Sequence, residues 1–239
     1  MQYNHILTQF DAQLEQVRSQ ILHMGGLVEE QLSVAVQALQ SGEMALIERV
    51  LGVEHQINVL ELGIDELCTN IIARRTPTAI DLRVVIMAVK TSVDLERIGD
   101  EAKKIALIAR EFFRSGRSHM PRYPEIRCIS EIVIDMLRQA LDGFARLDSE
   151  VAPEIARRDF EVDNSFRTIL RELLTYMMED PRTVSAALDL IFVAKSLERV
   201  GDHAKNISEY VVYMVNGKDV RHLSSDAIEH VVSGLGGTQ

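Results

Sequence analysis

The chain has 239 residues, 46% of them hydrophobic and 5% aromatic, with no Trp, 5 Pro and 13 Gly. This size is enough for one large domain or two small ones, and the composition favours helices. The formal net charge is −10, and no run of basic residues occurs. These properties speak against nucleic-acid binding, because contact with a phosphate backbone requires clustered Lys and Arg.

The sequence also predicts where the protein resides. Cys68 and Cys128 are isolated, without a second Cys at metal or redox spacing, which indicates structural thiols in a reducing compartment. The N-terminus lacks a basic segment followed by an apolar one, and the longest apolar runs are too short to cross a bilayer. We therefore expect a soluble, cytoplasmic protein.

Six long helices are predicted from apolar residues at spacings of three and four. Short breaks at Ser41-Gly42, Thr76-Pro77 and Asp180-Pro181 separate some of them. Long helices joined by short loops are typical of antiparallel bundles. The predicted fold class is all-α, a tandem duplication of an antiparallel three-helix bundle. The expected divisions are 1–115 for the first bundle, 116–125 for a linker, 126–216 for the second bundle and 217–239 for a frayed tail.

The duplication is visible as an internal repeat. LERIGDEAKKI begins at Leu95 and LERVGDHAKNI at Leu197, an offset of 102 residues. Over 13 aligned positions, 8 residues are identical. A repeat of this kind indicates two copies of one structural unit.

Each copy of the repeat places two carboxylates four residues apart, so they lie on one face of a helix. The pairs are Glu96 with Asp100 and Glu198 with Asp202. In the first copy they continue an apolar stripe, which predicts that they are partly buried. Burying unpaired carboxylates is costly, so cationic side chains or a metal ion must accompany them.

The preceding helix of each copy offers further oxygen donors, at Glu54 and Asn58 in the first copy and at Asp159 and Asp163 in the second. Carboxylate and amide oxygens on two facing helices suit a hard cation such as Mg²⁺, Mn²⁺ or iron. Solvated acidic faces are an alternative interpretation. In that case nearby cations, among them Lys103 and Lys205, pair with the acids.

Several segments together resemble the PhoU family, the phosphate-signalling regulators found with bacterial phosphate transporters. They span nearly the whole chain: MGGLVE at 24–29, IDELCTNIIARRTPTAIDLR at 64–83, LTYMMEDPRT at 174–183 and the two LERxGD motifs. The resemblance implies two pseudo-symmetric three-helix bundles. It also implies metal binding through E/D-x-x-x-D motifs, here Glu96/Asp100 and Glu198/Asp202, with Glu54/Asn58 and Asp159/Asp163 on the preceding helices. Asn58 departs from a strictly acidic motif, so the two sites are expected to differ.

The resemblance further implies a protein without catalysis that forms a homodimer. Its implied role is negative regulation of the phosphate-starvation response and modulation of phosphate uptake. Its implied partners are the ATPase subunit of the phosphate-specific ABC transporter and a sensor histidine kinase, and it would reach the membrane only through them.

Two other functions compete with this interpretation. A di-iron oxidase is disfavoured because its bundle needs Glu-x-x-His, whereas Gly99 and Gly201 follow Glu96 and Glu198 at that spacing. A metal-free helical adaptor, whose acidic faces dock basic partner surfaces, is the stronger alternative. No Gly-rich phosphate-binding loop is present, so we expect any sensing of phosphate to occur through partners.

Overall fold

The computed structural model describes residues 2–115 and 124–234, with side chains from residue 10 onward. In these ranges the chain forms α-helices, two 3₁₀ turns at Ser149–Val151 and Pro181–Thr183, and no strand. The helices are α1 Gln2–Ser41, α2 Met44–Arg75, α3 Ala79–Arg114, α4 Pro124–Arg146, α5 Ala152–Glu179, α6 Val184–Asn216 and α7 Ser225–Val232.

The ends of the long helices lie where the sequence breaks its apolar periodicity. Gly42, at φ 72°, ends α1, and its N–H donates to the carbonyl of Ala38 at 2.9 Å. Side chains rarely adopt this left-handed conformation, and a Cβ here would lie 2.7 Å from the ring of Phe113. Glycine therefore lets α1 turn tightly into α2 while α3 packs over the turn.

Helices α1, α2 and α3 pack on one another as a first bundle, and α4, α5 and α6 as a second. The predicted all-α fold, a tandem duplication of an antiparallel three-helix bundle, is confirmed. The bundles meet mainly through α3 and α6, with α1 also touching α4, while α2 and α5 lie on the outside. One continuous apolar core runs through both bundles, so α3 and α6 are the central elements of the molecule.

Residues 217–234 contain a short helix that the expectation of a frayed tail missed. The Ser224 hydroxyl accepts from the Ala227 N–H and caps α7. Ile228 in α7 and Val220 before it are buried against Ala152 and Val212. A short capped helix with two buried apolar side chains is a weak sequence signal, but in the structure these side chains pack the segment on α5 and α6.

The predicted linker lies mostly at 116–123, outside the described residues, and α4 already begins at Pro124. The division into domains at the predicted boundaries stays a prediction. Among the described residues, no helix combines the length and apolar character needed to cross a membrane.

Candidate functional site

The glycine of each LERxGD motif lies close to the preceding helices. Gly99 and Gly201 are both buried. A Cβ on Gly99 would lie 3.1 Å from Gln31 Oε1 and 3.4 Å from Ile57. A Cβ on Gly201 would lie 3.6 Å from Asp159 Oδ1. Gly99 therefore lets α3 pack tightly against Gln31 of α1, whereas at Gly201 a methyl group would make only ordinary contacts.

The first acidic cluster comprises Glu54 and Asn58 on α2 with Glu96 and Asp100 on α3. Glu54 is buried and its two oxygens accept from different side chains. Gln31 Nε2 donates to Oε2 at 3.3 Å, and Lys103 Nζ donates to Oε1 at 3.2 Å. Lys103 Nζ also lies 3.8 Å from Asp100 Oδ1, so a single lysine pairs with one acid on α2 and one on α3.

Glu96 shows that the cluster is electrostatically strained. Desolvation and repulsion from Asp100, Glu61 and Glu54 raise the pKa of its carboxyl, although Arg97 opposes the shift. The structure thus brings the acids of α2 and α3 close enough to influence one another, as the sequence predicted.

The second acidic cluster comprises Asp159 and Asp163 on α5 with Glu198 and Asp202 on α6. Asp159 is buried and accepts from Lys205 Nζ at 2.8 Å. Glu198 accepts from Lys195 Nζ through both oxygens, at 2.6 and 2.5 Å. These two lysines carry the compensating positive charge of the second cluster.

Asp202 is the residue most perturbed by this second cluster. More than a third of its surface is exposed, yet desolvation of the carboxyl, together with repulsion from Glu198, Asp159 and Asp163, raises its pKa to about 6. Lys195 lowers it in part. A cation placed among these groups would relieve the repulsion.

Lys103 and Lys205 occupy the same position of the repeat, and they make the same ion pair to the preceding helix, with Glu54 and Asp159. The clusters differ elsewhere. Where the first has Val93, the second has Lys195, whose Nζ lies 5.5 Å from the ring centre of Phe166. The second cluster therefore holds one more lysine than the first, and this lysine offsets the additional carboxylate, Asp163, that stands where the first cluster has the neutral Asn58.

The donors of the clusters fit a hard cation in kind, because all are carboxylate or amide oxygens. Asn58 Oδ1 is buried and has no hydrogen-bond partner in the described residues, so it is available as a ligand. No three His, Cys, Asp or Glu of residues 2–115 and 124–234 are arranged to hold a metal ion. Metal binding at the eight predicted residues stays a prediction, and Lys103, Lys195 and Lys205 are its competitors.

A buried polar network that was not predicted from the sequence lies between the bundles. Asp94 of α3 is 6% exposed and contacts His203 Nδ1 at 2.6 Å and Asn206 Nδ2 at 3.4 Å. Glu101, 5% exposed, accepts from Arg199 at 3.2 Å. The sequence signal was weak, since these residues adjoin the LERxGD motifs but lie on other helix faces.

Burial works against ionisation of Glu101, yet hydrogen bonds from Lys104, Ser196 and Arg199 lower the pKa of its carboxyl. Two of these donors, Ser196 and Arg199, belong to α6. The bundles are therefore joined by oriented charge-assisted hydrogen bonds as well as by apolar packing.

A family model described as the PhoU domain matches residues 21–109 and 126–211, one match in each bundle. The chain belongs to the PhoU family. The sequence is 50% identical over 232 residues to a Pseudomonas putida protein, covering 97% of this chain and 90% of that one. It is 44% identical to an Escherichia coli K12 protein, covering 96% and 95%. The P. putida protein is named "Phosphate-specific transport system accessory protein PhoU homolog". The E. coli protein is named "Phosphate-specific transport system accessory protein PhoU".

Solved structures of PhoU agree with the fold. The Pseudomonas aeruginosa crystal structure matches with a TM-score of 0.84 and 49% identity, over 87% of this chain and all of that one. The Streptococcus pneumoniae phosphate transport system regulatory protein PhoU matches with a TM-score of 0.81 and 27% identity, over 88% and 99%. The resemblance inferred from the motifs is thereby confirmed. The family consists of transport accessory or regulatory proteins and is not a known enzyme family, as expected.

Proposed function

We propose that this protein is an accessory regulator of phosphate uptake. In this role it represses the phosphate-starvation response by coupling the phosphate-specific ABC transporter to a sensor histidine kinase. The carrying observation is that both copies of the repeat, and nearly the full length, match proteins named as accessory to phosphate-specific transport. We further propose that the protein contacts the transporter's ATPase subunit and the kinase. We also propose that it is cytoplasmic and forms a homodimer.

The test of this role is complementation in a bacterium lacking its own PhoU-family protein. Expressed in phosphate-rich medium, the chain should restore repression of a phosphate-starvation reporter. Purified, it should bind the transporter's ATPase subunit and the kinase's cytoplasmic region. Failure to repress despite normal expression and folding would contradict the proposal.

Within this role, we propose metal binding at the two acidic clusters. Glu54, Asn58, Glu96 and Asp100 would hold an ion on the first bundle, and Asp159, Asp163, Glu198 and Asp202 on the second. A bound Mg²⁺, Mn²⁺ or iron ion would offset the repulsion that raises the pKa of Glu96 and Asp202. The side chains of Lys103 and Lys205 would have to leave their carboxylate partners.

Metal analysis of protein purified without chelator tests this second proposal. The comparison is a variant carrying Glu96→Gln, Asp100→Asn, Glu198→Gln and Asp202→Asn, checked for folding by circular dichroism. Metal retained by the parent and lost by the variant supports the sites. If neither protein holds metal, even after soaking in Mn²⁺ and Mg²⁺, the proposed metal sites are rejected.

The metal-free adaptor is the second candidate, and the two lysine pairs favour it. Lys103–Glu54 and Lys205–Asp159 provide the cationic partners that buried carboxylates need, without an ion. Partner binding that is unchanged by a chelator would support the adaptor. Partner binding abolished by the chelator and restored by Mn²⁺ would reject it.

A further inference from the structure

A cleft of about 440 Å³ lies where α3 and α6 meet, and none of the eight acidic-cluster residues lines it. It is formed by the first turns of α3, the last turns of α6 and the segment 217–221. Its volume is within the usual range for small-molecule sites. Apolar side chains of α3 form one wall: Ala79, Leu82, Ile86 and Met87.

Two cations of the cleft are held over aromatic rings. The guanidinium of Arg83 lies 5.9 Å from the ring centre of Tyr213, and Lys90 Nζ lies 5.6 Å from that of Tyr210. Neither makes a salt bridge to a carboxylate of the described residues. Arg83 Nε is buried and has no hydrogen-bond partner there. Buried donors normally have partners, so this N–H is a donor that an acceptor on a ligand could use.

The other charged residues of the cleft compensate these two cations only in part, although Lys90 is near enough to Asp219 to contribute to the lowering of its pKa. Arg221 and Asp219 pair with each other, with Arg221 Nε at 3.0 Å from Asp219 Oδ1. Hydrogen bonds from Arg221 lower the pKa of Asp219 to about 2, so that pair stays ionised and neutral overall. Glu209 is the one remaining acid of the lining. Its burial raises its pKa to about 7, so it can carry a proton near neutral pH.

Gly217 leaves room for the guanidinium of Arg83. It ends α6 at φ 70°, and a Cβ here would lie 2.3 Å from Arg83 Nη1. The guanidinium thus packs between the backbone of residue 217 and the Tyr213 ring. An arginine held in this way loses little conformational freedom when it binds an anion.

The internal repeat shows that these cations belong to one half of the molecule only. At the offset of 102 residues, Ser185 corresponds to Arg83 and Phe192 to Lys90. Tyr210 and Tyr213 correspond to Ile108 and Glu111. The positions related to Arg83, Lys90, Tyr210 and Tyr213 by the repeat therefore hold neither the two cations nor the two tyrosine rings, although the helices pack in the same way. A purely structural role common to both halves does not require them.

We propose that this cleft binds the phosphate group of a small anion, either free inorganic phosphate or an organic phosphate, through Arg83 and Lys90. Arginine donors match phosphate oxygens in pairs, and a lysine adds a point charge. The apolar wall at Leu82 and Ile86 leaves room for an organic part. The proposal concerns ligand binding by the purified protein and does not depend on the proposed regulatory function.

Isothermal titration with adenosine 5′-monophosphate, adenosine and inorganic phosphate, at matched ionic strength, tests the proposal. We expect a phosphate-bearing probe to bind with a Kd below about 1 mM and adenosine not to bind. Arg83→Gln and Lys90→Gln should each weaken binding at least about tenfold, as loss of a charge-assisted hydrogen bond does. Arg182→Gln, the same charge change at an exposed residue in the 3₁₀ turn before α6, should leave binding unchanged.

Binding of inorganic phosphate identifies the free anion as a ligand, and binding of the nucleotide alone identifies an organic phosphate. Either result, lost in the Arg83 or Lys90 variant, supports the proposal. Binding that adenosine shares, binding that both variants retain, or no binding by either phosphate probe overturns it. Circular dichroism checks that each variant is folded. If Arg83→Gln does not fold, the binding measured for Lys90→Gln tests the proposal.

Discussion

His203 Nδ1 lies 2.6 Å from Asp94 Oδ1, buried between the central helices α3 and α6. The repeat offset places Ser196 at the position of Asp94, and Glu101 at that of His203. Ser196 and Glu101 are also hydrogen-bonded. The two contacts are therefore related by the internal pseudo-symmetry, although their residues differ. The duplicated helices have kept a buried polar contact at this place while changing its chemistry.

Replacing Asp94 with Ala should destabilise the protein, because His203, Asn206 and Tyr210 all interact with this carboxylate. Unsatisfied buried partners predict a loss of about 1–3 kcal/mol in the free energy of unfolding. Urea titration at pH 7 measures it. A double-mutant cycle with His203→Ala should show a coupling energy of about 0.5 kcal/mol or more. Strict additivity would mean that the contact contributes nothing.

The sequence was sufficient to predict the all-α fold, because the helices follow from periodicity and the duplication from the internal repeat. The eight acidic-cluster residues stay a prediction, and only their arrangement within each helix follows from periodicity. Glu96 and Asp100 share a face whatever α3 packs against. The partners of Asp94 depend instead on how α3 and α6 cross, which no local pattern encodes. The cleft at Arg83 was missed for the same reason, since its residues come from distant segments. Lys103 and Lys205 were noted as possible partners, but their reach to Glu54 and Asp159 required the packed bundles.

Removing the repeated lysines should destabilise both bundles. Lys205→Met leaves buried Asp159 without its 2.8 Å partner, and Lys103→Met leaves Glu54 with only Gln31. We expect losses of about 1–3 kcal/mol, larger for Lys205→Met, because no other side-chain donor to Asp159 is seen in the described residues. Thermal and urea unfolding without added metal measure these losses.

Arg146→Met is the matched control, because Arg146 makes an exposed pair with Asp142 on its own helix. Such pairs contribute about 0.3–0.5 kcal/mol. If the clusters bind metal, Mn²⁺ should restore more stability to the lysine variants than to the parent protein. Equal stability of Lys205→Met and Arg146→Met would show that Asp159 does not need its lysine.

Ile228 should hold α7 in place. Its side chain is fully buried in a small cluster with Val212 and Val220, separate from the main core. Ile228→Ala should therefore release α7 locally and cost less than the roughly 2–5 kcal/mol of a central core truncation. Hydrogen exchange should accelerate at 225–232 while the amides of α3 and α6 remain protected. Faster exchange throughout α6 would show that α7 stabilises the whole second bundle.

Glu209 should make stability depend on pH. Its carboxyl is 5% exposed, and burial raises its pKa from 4.5 to about 7, with Asp159 adding to the shift and Lys205 opposing it. A raised carboxyl pKa means that the unfolded chain loses this proton first as pH rises, so stability from this group falls between pH 4.5 and 7. Glu209→Gln removes that loss. The variant should be more stable than the parent at pH 8, by on the order of 2–3 kcal/mol, with the difference shrinking toward pH 4. Urea unfolding across this range measures it, and a constant difference at all pH values would contradict the assignment.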